Sequence, residues 1–148
     1  MSNFIKDNSG IDYSINTAIN HYGNKDTGWC IKGKGIGEWM KADIPPSQYF
    51  QFQGTMNIYR LILVNGLSVN KELYYANNRV KTILLEFSNG EKRVLECIDG
   101  PMDLRGDIGA QQFKIKIKSK WVKLTIMDIF SGNKYNDTCI STIAFETE

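Results

Sequence analysis

The chain has 148 residues, of which 42% are hydrophobic and 23% charged, with a net charge of +2. That is enough for one domain with a core of its own and the profile of an ordinary globular protein. So small a net charge gives no ground for a nucleic-acid partner, and no apolar run approaches the roughly 20 residues of a membrane-spanning helix.

The opening Met1-Ser2-Asn3-Phe4-Ile5-Lys6-Asp7 lacks the apolar core of a signal peptide. An exported native protein would therefore make this chain a mature fragment or a domain of a longer protein, and the compartment stays open. Residues 1–12 are polar, with Asn8-Ser9-Gly10, and read as a lead-in to a single domain over 13–148. Within it, short runs of period two predict strands at 38–43, 49–53, 56–64, 80–87, 92–98, 113–118, 122–130 and 138–145. No segment carries a sustained i, i+3, i+4, i+7 apolar stripe, so little helix is expected. Ser88-Asn89-Gly90 separates two of the runs and predicts a hairpin turn, because Asn-Gly accommodates positive φ with little strain. Eight such strands predict an all-β fold, two antiparallel sheets packed as a jelly-roll sandwich. The longer connections at 19–37, 65–78 and 99–112 are where a rigid sandwich would carry binding function.

Cys30, Cys97 and Cys139 are odd in number and widely spaced, without CxxC or Cys/His ligand spacing. A structural zinc site is not expected, three buried thiols are the preferred reading, and the cysteines do not ask for an oxidising compartment. A Cys or Ser nucleophile would need a histidine, and His21 is the single one, nine residues before Cys30. A solvent-facing loop histidine is preferred to a dyad. Asp99, Asp103 and Asp107 lie among Gly100, Pro101 and Gly106, where turn chemistry accounts for them before acid–base catalysis does. Gly33-Lys34-Gly35-Ile36-Gly37 lacks the order of a phosphate loop and reads as a flexible strand entry. Lys114, Lys116 and Lys118 alternate with Ile115 and Ile117, which puts the lysines on the solvent face of a strand.

Four segments carry a family resemblance: Gly23-Asn24-Lys25-Asp26-Thr27-Gly28-Trp29 with Gly35-Ile36-Gly37-Glu38-Trp39; Ile62-Leu63-Val64-Asn65-Gly66-Leu67; Asn77-Asn78-Arg79-Val80-Lys81 with Phe87-Ser88-Asn89-Gly90; and Lys134-Tyr135-Asn136-Asp137-Thr138-Cys139-Ile140-Ser141. In this order they span most of 14–146, and the chain resembles the NADase-type glycan-binding domains, a branch of the discoidin-like, galactose-binding-like β-sandwiches. The resemblance implies a non-catalytic glycan-binding or attachment module of the kind appended to bacterial enzymes and toxins, with Trp29 and Trp39 in the core. Related sandwiches can hold calcium near two places where this chain has Tyr22 and Thr142 instead of carboxylates. No metal or other cofactor is expected, a weak site using Asp26 and carbonyls being the disfavoured alternative.

A sugar site needs rings to stack on pyranose CH faces and planar polar groups to bridge hydroxyls. Leu73-Tyr74-Tyr75-Ala76-Asn77-Asn78-Arg79 supplies both, so Tyr74, Tyr75, Asn77 and Arg79, with Asp26, are the predicted glycan contacts. A structural role is preferred for Asn78 and Arg79 taken singly, whereas Tyr74 and Tyr75 divide evenly between sugar stacking and anchoring. The main expectation is a glycan ligand. The alternative is a protein–protein docking or translocation module using the same loops, and a small hydrolase built on Cys30 and His21 or the loop carboxylates ranks last.

Overall fold

A computed structural model of the protein describes residues 29–44, 56–102, 106 and 108–147. The predicted strand at 49–53, the lead-in, His21 and Asp26 lie outside them.

Eight strands are described: β1 (Trp29–Lys32), β2 (Trp39–Asp43), β3 (Met56–Asn65), β4 (Arg79–Phe87), β5 (Lys92–Glu96), β6 (Ala110–Ser119), β7 (Trp121–Phe130) and β8 (Asp137–Thr147). They form two antiparallel four-stranded sheets, ordered β1-β8-β3-β6 and β2-β7-β4-β5. The chain crosses between the sheets repeatedly, as expected of a jelly roll, and the hairpin at Asn89-Gly90 joins β4 to β5 within one sheet. Gly90 takes φ 87 and its N–H donates to the Phe87 carbonyl at 3.0 Å, which closes that turn.

The core follows from alternation. Val80, Ile83, Leu85 and Phe87 of β4 and Val122, Leu124 and Ile126 of β7 pack against Ile58, Leu61 and Leu63 of β3, Ile115 and Ile117 of β6, and Ile140 and Ile143 of β8. Lys114, Lys116 and Lys118 are exposed between the buried isoleucines, as the period-two reading requires. Ile58 faces Ile117 whereas Arg60 faces Lys114, so β6 carries one extra residue there. Lys116 has φ 56 inside this bulge.

Three expectations need correction. Trp29–Lys32 lies within the connection expected at 19–37 yet forms strand β1, because its pairing with β8 supplies hydrogen bonds that a four-residue run does not announce. Trp29 is buried, but Trp39 is only half-buried, because β2 points Met40 and Ala42 inward and sends Trp39, Lys41 and Asp43 to the solvent side. The cysteines are not three thiols: Cys30 and Cys139 are disulfide-bonded. β1 pairs with β8 so that these two residues face each other, with Cα atoms 4.1 Å apart. The Cys139 backbone bonds to Asn78 and Gly66 rather than across to β1, which leaves this a close, non-hydrogen-bonded pair. Cys30 is thereby removed as a nucleophile. Cys97 remains a free, buried thiol whose pKa burial pushes up to about 12, with Glu96 nearby adding to the shift.

The connection from β3 to β4, expected to be a loop at 65–78, contains a helix, α1 (Lys71–Ala76). Asn70 caps it, its side chain accepting from the Leu73 N–H at 2.8 Å. At six residues it is too short to show a helical period, and the Asn70 cap was the available signal.

Candidate functional site: the loop-bearing end of the sandwich

Four connections meet at one end of the sandwich: the β1–β2 turn, the β3–β4 connection with α1, the β5–β6 connection and the β7–β8 turn. Parts of three segments that carry the family resemblance converge here, and Asn65, Asn77, Asn78, Arg79, Thr138 and Ser141 are buried, whereas Ser88-Asn89-Gly90 lies at the opposite end and residues 23–28 are outside the described residues. Asn65, fully buried, donates to the Val80 carbonyl at 2.6 Å and accepts from the Val80 N–H at 2.9 Å, which ties the end of β3 to the start of β4. Gly66 follows with φ 74, and an added Cβ there would stand 2.7 Å from both Arg79 and the Tyr74 ring, so glycine is required on two counts. Asn78 donates to Asn136 and Thr138 and accepts from the Gly132 N–H at 2.7 Å. Thr138 donates to the carbonyls of Gly33 and Lys34, while Ser141 donates to the Gly66 carbonyl and accepts from the Ser68 N–H. These bonds satisfy the buried backbone of the connections, which strands cannot do at their ends.

At the centre lies Arg79, whose side chain is 6% exposed. Its Nε and Nη2 donate to the two Asp99 carboxylate oxygens at 3.1 and 2.8 Å, and Nη1 donates to the carbonyls of Asn77 and Ser131 at 3.0 and 3.2 Å. The guanidinium lies 5.2 Å from the ring centres of both Tyr74 and Tyr75 and 6.0 Å from that of Phe130. Tyr74 is fully buried, its hydroxyl donating to Asp99 at 3.1 Å and accepting from the Gly100 N–H at 2.9 Å. Burial pushes its pKa up to about 12, opposed by the Gly100 hydrogen bond. Asn77 is buried and donates to the Leu73 carbonyl at 3.0 Å.

The predicted contacts Tyr74, Tyr75, Asn77 and Arg79 are thus brought together, but around Asp99 rather than around an open cleft. Tyr75, half-buried, is the one that also reaches the surface. Its hydroxyl lies against Gly100 and its carbonyl accepts from the Asn133 N–H at 2.9 Å, so it links the segment after β5 to the β7–β8 turn. Asp26 lies outside the described residues. Asp99, read as turn chemistry, proves to be the carboxylate partner that fixes Arg79, and nothing in its local sequence distinguishes that role. Ile98 and Met102 of the β5–β6 connection and Tyr135 of the β7–β8 turn are exposed apolar side chains here, among exposed polar ones such as Lys34, Asn133, Lys134 and Asn136. Apolar residues inside turn segments were the sequence signal for them. Among the described residues no group of three or more His, Cys, Asp or Glu side chains gathers where a metal could sit.

A two-sheet antiparallel sandwich closed at its loop end by buried polar staples is a discoidin-like domain. More particularly, the chain belongs to the NAD glycohydrolase translocation F5/8 type C domain family, which matches residues 1–146. Among solved structures it is similar to the NMR structure of the Streptococcus pyogenes NAD+-glycohydrolase translocation domain, with 21% identity and a TM-score of 0.51 over 78% of this chain and 91% of that one. A search of curated proteins found no match.

Proposed function

We propose that this domain is a non-catalytic docking module that engages a protein partner during translocation of the enzyme to which it is joined. Membership of the translocation family over residues 1–146 carries the reading, and it favours the docking alternative over glycan recognition. The site chemistry supports it. Tyr74, Asn77 and Arg79 spend their polar groups on internal partners, whereas a sugar site needs planar polar groups free to bridge hydroxyls. Ile98, Met102 and Tyr135 are instead exposed apolar side chains carried by the connections around this rigid base, anchors of the kind a polypeptide interface uses.

The test is delivery of a reporter enzyme fused to the whole chain, read as reporter activity on the far side of a cell membrane in the presence of the producing organism's secreted proteins. Delivery should require the domain, fall at least about tenfold when Ile98 and Met102 are both changed to Asp, and ignore millimolar monosaccharide. Delivery that free sugar abolishes, or glycan-array retention that the same sugar competes, would restore the glycan reading in its place.

A further inference from the structure

The outer face of the β2-β7-β4-β5 sheet has an order that neither the core nor the loop end uses. A sandwich sheet with one face on the core ordinarily turns polar residues to water on the other. Here the strand register places Trp39 opposite Thr125, Thr125 opposite Leu84, and Leu84 opposite Val94, one row running across all four strands. Val94 is 63% exposed, and Trp39 and Leu84 are half-buried. Ile36 and Met127, 53% and 47% exposed, extend the apolar area at the β2–β7 side, where the Gly37 N–H donates to the Ile126 carbonyl at 2.8 Å.

The rows on either side carry opposite charge. Toward one end of the strands lie Lys41, Lys123, Glu86 and Lys92, again mutually opposite, with Glu86 paired to Lys92 at 3.3 Å and to Lys123 at 3.5 Å. Two lysine charges are left over. Toward the other end lie Asp128, Thr82 and Glu96, with only Lys81 against Asp128 at 3.6 Å to offset two carboxylates.

We propose that this face associates with a second copy of itself about a two-fold axis running along the apolar row. A two-fold axis lying in the plane between two facing sheets, parallel to that row, keeps each residue of the row opposite its own counterpart: Trp39 on Trp39, Leu84 on Leu84, Val94 on Val94. The same operation exchanges the two flanks, so the lysine row of each copy meets the acidic row of the other, and Lys92 faces Glu96 twice. An axis at right angles to the row would instead set each charged row against itself, with Lys41 facing Lys92 and two net-positive rows in contact. The face is therefore self-complementary in one orientation only, as an isologous interface must be. Its footprint is modest: four strands about 4.8 Å apart and five residues at about 3.4 Å each cover about 300 Å² per copy. That lies below the roughly 800 Å² per partner of standard interfaces, so a weak dimer is expected.

The experiment is sedimentation equilibrium of the full chain from about 5 to 500 μM, with circular dichroism to confirm that each variant is folded. The wild type should dimerise, and Val94→Glu should weaken the dimer at least about tenfold. Lys92→Glu and Glu96→Lys should each weaken it, because like charges then face each other. An equimolar mixture of those two variants should recover association, since every facing pair is again opposite in sign. A wild type that stays monomeric throughout the range overturns the proposal. So does a dimer indifferent to Val94→Glu, or a mixture no better than either variant alone.

Discussion

Replacing Arg79 and Asp99 by Ala, singly and together, decides whether the cluster at the loop end is scaffold or ligand site. Asp99→Ala removes the two hydrogen bonds from Arg79, at 3.1 and 2.8 Å, and the one from the Tyr74 hydroxyl at 3.1 Å, charge-assisted bonds of a type worth about 1.5–3 kcal/mol each when buried. The Asp99 side chain is 32% exposed, so water takes over part of the loss and about 2 kcal/mol is expected. Arg79→Ala removes the two bonds to Asp99 and also those to the Tyr75, Asn77 and Ser131 carbonyls, and it empties the space between Tyr74, Tyr75 and Phe130. About 4 kcal/mol is expected from the sum of lost bonds and cavity. The two changes share one interaction, so the double variant should cost about 4.5 kcal/mol rather than 6, a coupling of about 1.5 kcal/mol. Urea denaturation at neutral pH measures all four proteins, with the slope checked for two-state behaviour. An Arg79→Ala variant within about 1 kcal/mol of wild type, with no coupling to Asp99, would refute this account and return Arg79 to the role of a ligand contact.

Three further outcomes are expected. The Cys30–Cys139 disulfide spans 109 residues of sequence, for which chain-entropy reasoning gives about 4–5 kcal/mol, so the Cys30→Ser/Cys139→Ser double variant should lose about 3–4 kcal/mol after strain and residual denatured structure are allowed for. Alkylation of denatured, unreduced protein followed by mass spectrometry should label Cys97 alone; labelling of all three cysteines would rule the disulfide out. Gly66→Ala forces a side chain at φ 74 into Tyr74 and Arg79 and should lower stability by about 2–4 kcal/mol by thermal or urea melts, and a neutral result would show that the β3–α1 corner yields freely. Finally, Tyr74 ionises in the unfolded chain at its ordinary value of 10.0 but in the folded protein at about 12, so the folded state holds the proton more tightly. Its stabilising contribution is complete below pH 10.0, the unfolded value, and is lost as pH rises through about 12, a fall of about 3 kcal/mol. The Tyr74→Phe variant should begin less stable and show a shallower alkaline decline, and equal slopes would contradict the assignment.

Alternation of apolar residues with period two was enough to place β2 to β8 and the buried faces of β4, β6 and β7, and Asn89-Gly90 marked the hairpin, whereas the four residues of β1 were too few to show the pattern. This works because each strand's side chains alternate by covalent geometry, independently of what the strand pairs with. The side of β2 was legible for the same reason, since Trp39 shares its face with Lys41 and Asp43 and not with Met40. The preference of tryptophan for burial outweighed that signal in the expectation that Trp39 is core. The sequence segments of the loop end marked where the connections converge, but not the direction in which their polar groups point. Register and packing decide that, and both are long-range. Cys30 meets Cys139 only because β1 lies antiparallel to β8 in one register among several. Arg79 meets Asp99 only because the segment following β5 passes beside α1. The row Trp39, Thr125, Leu84 and Val94 is assembled from four strands, no two of whose members adjoin in sequence. Local chemistry wrote the strands and turns of this domain, whereas its disulfide, its buried ion pair and the order of its outer face exist only once the strands have chosen their neighbours.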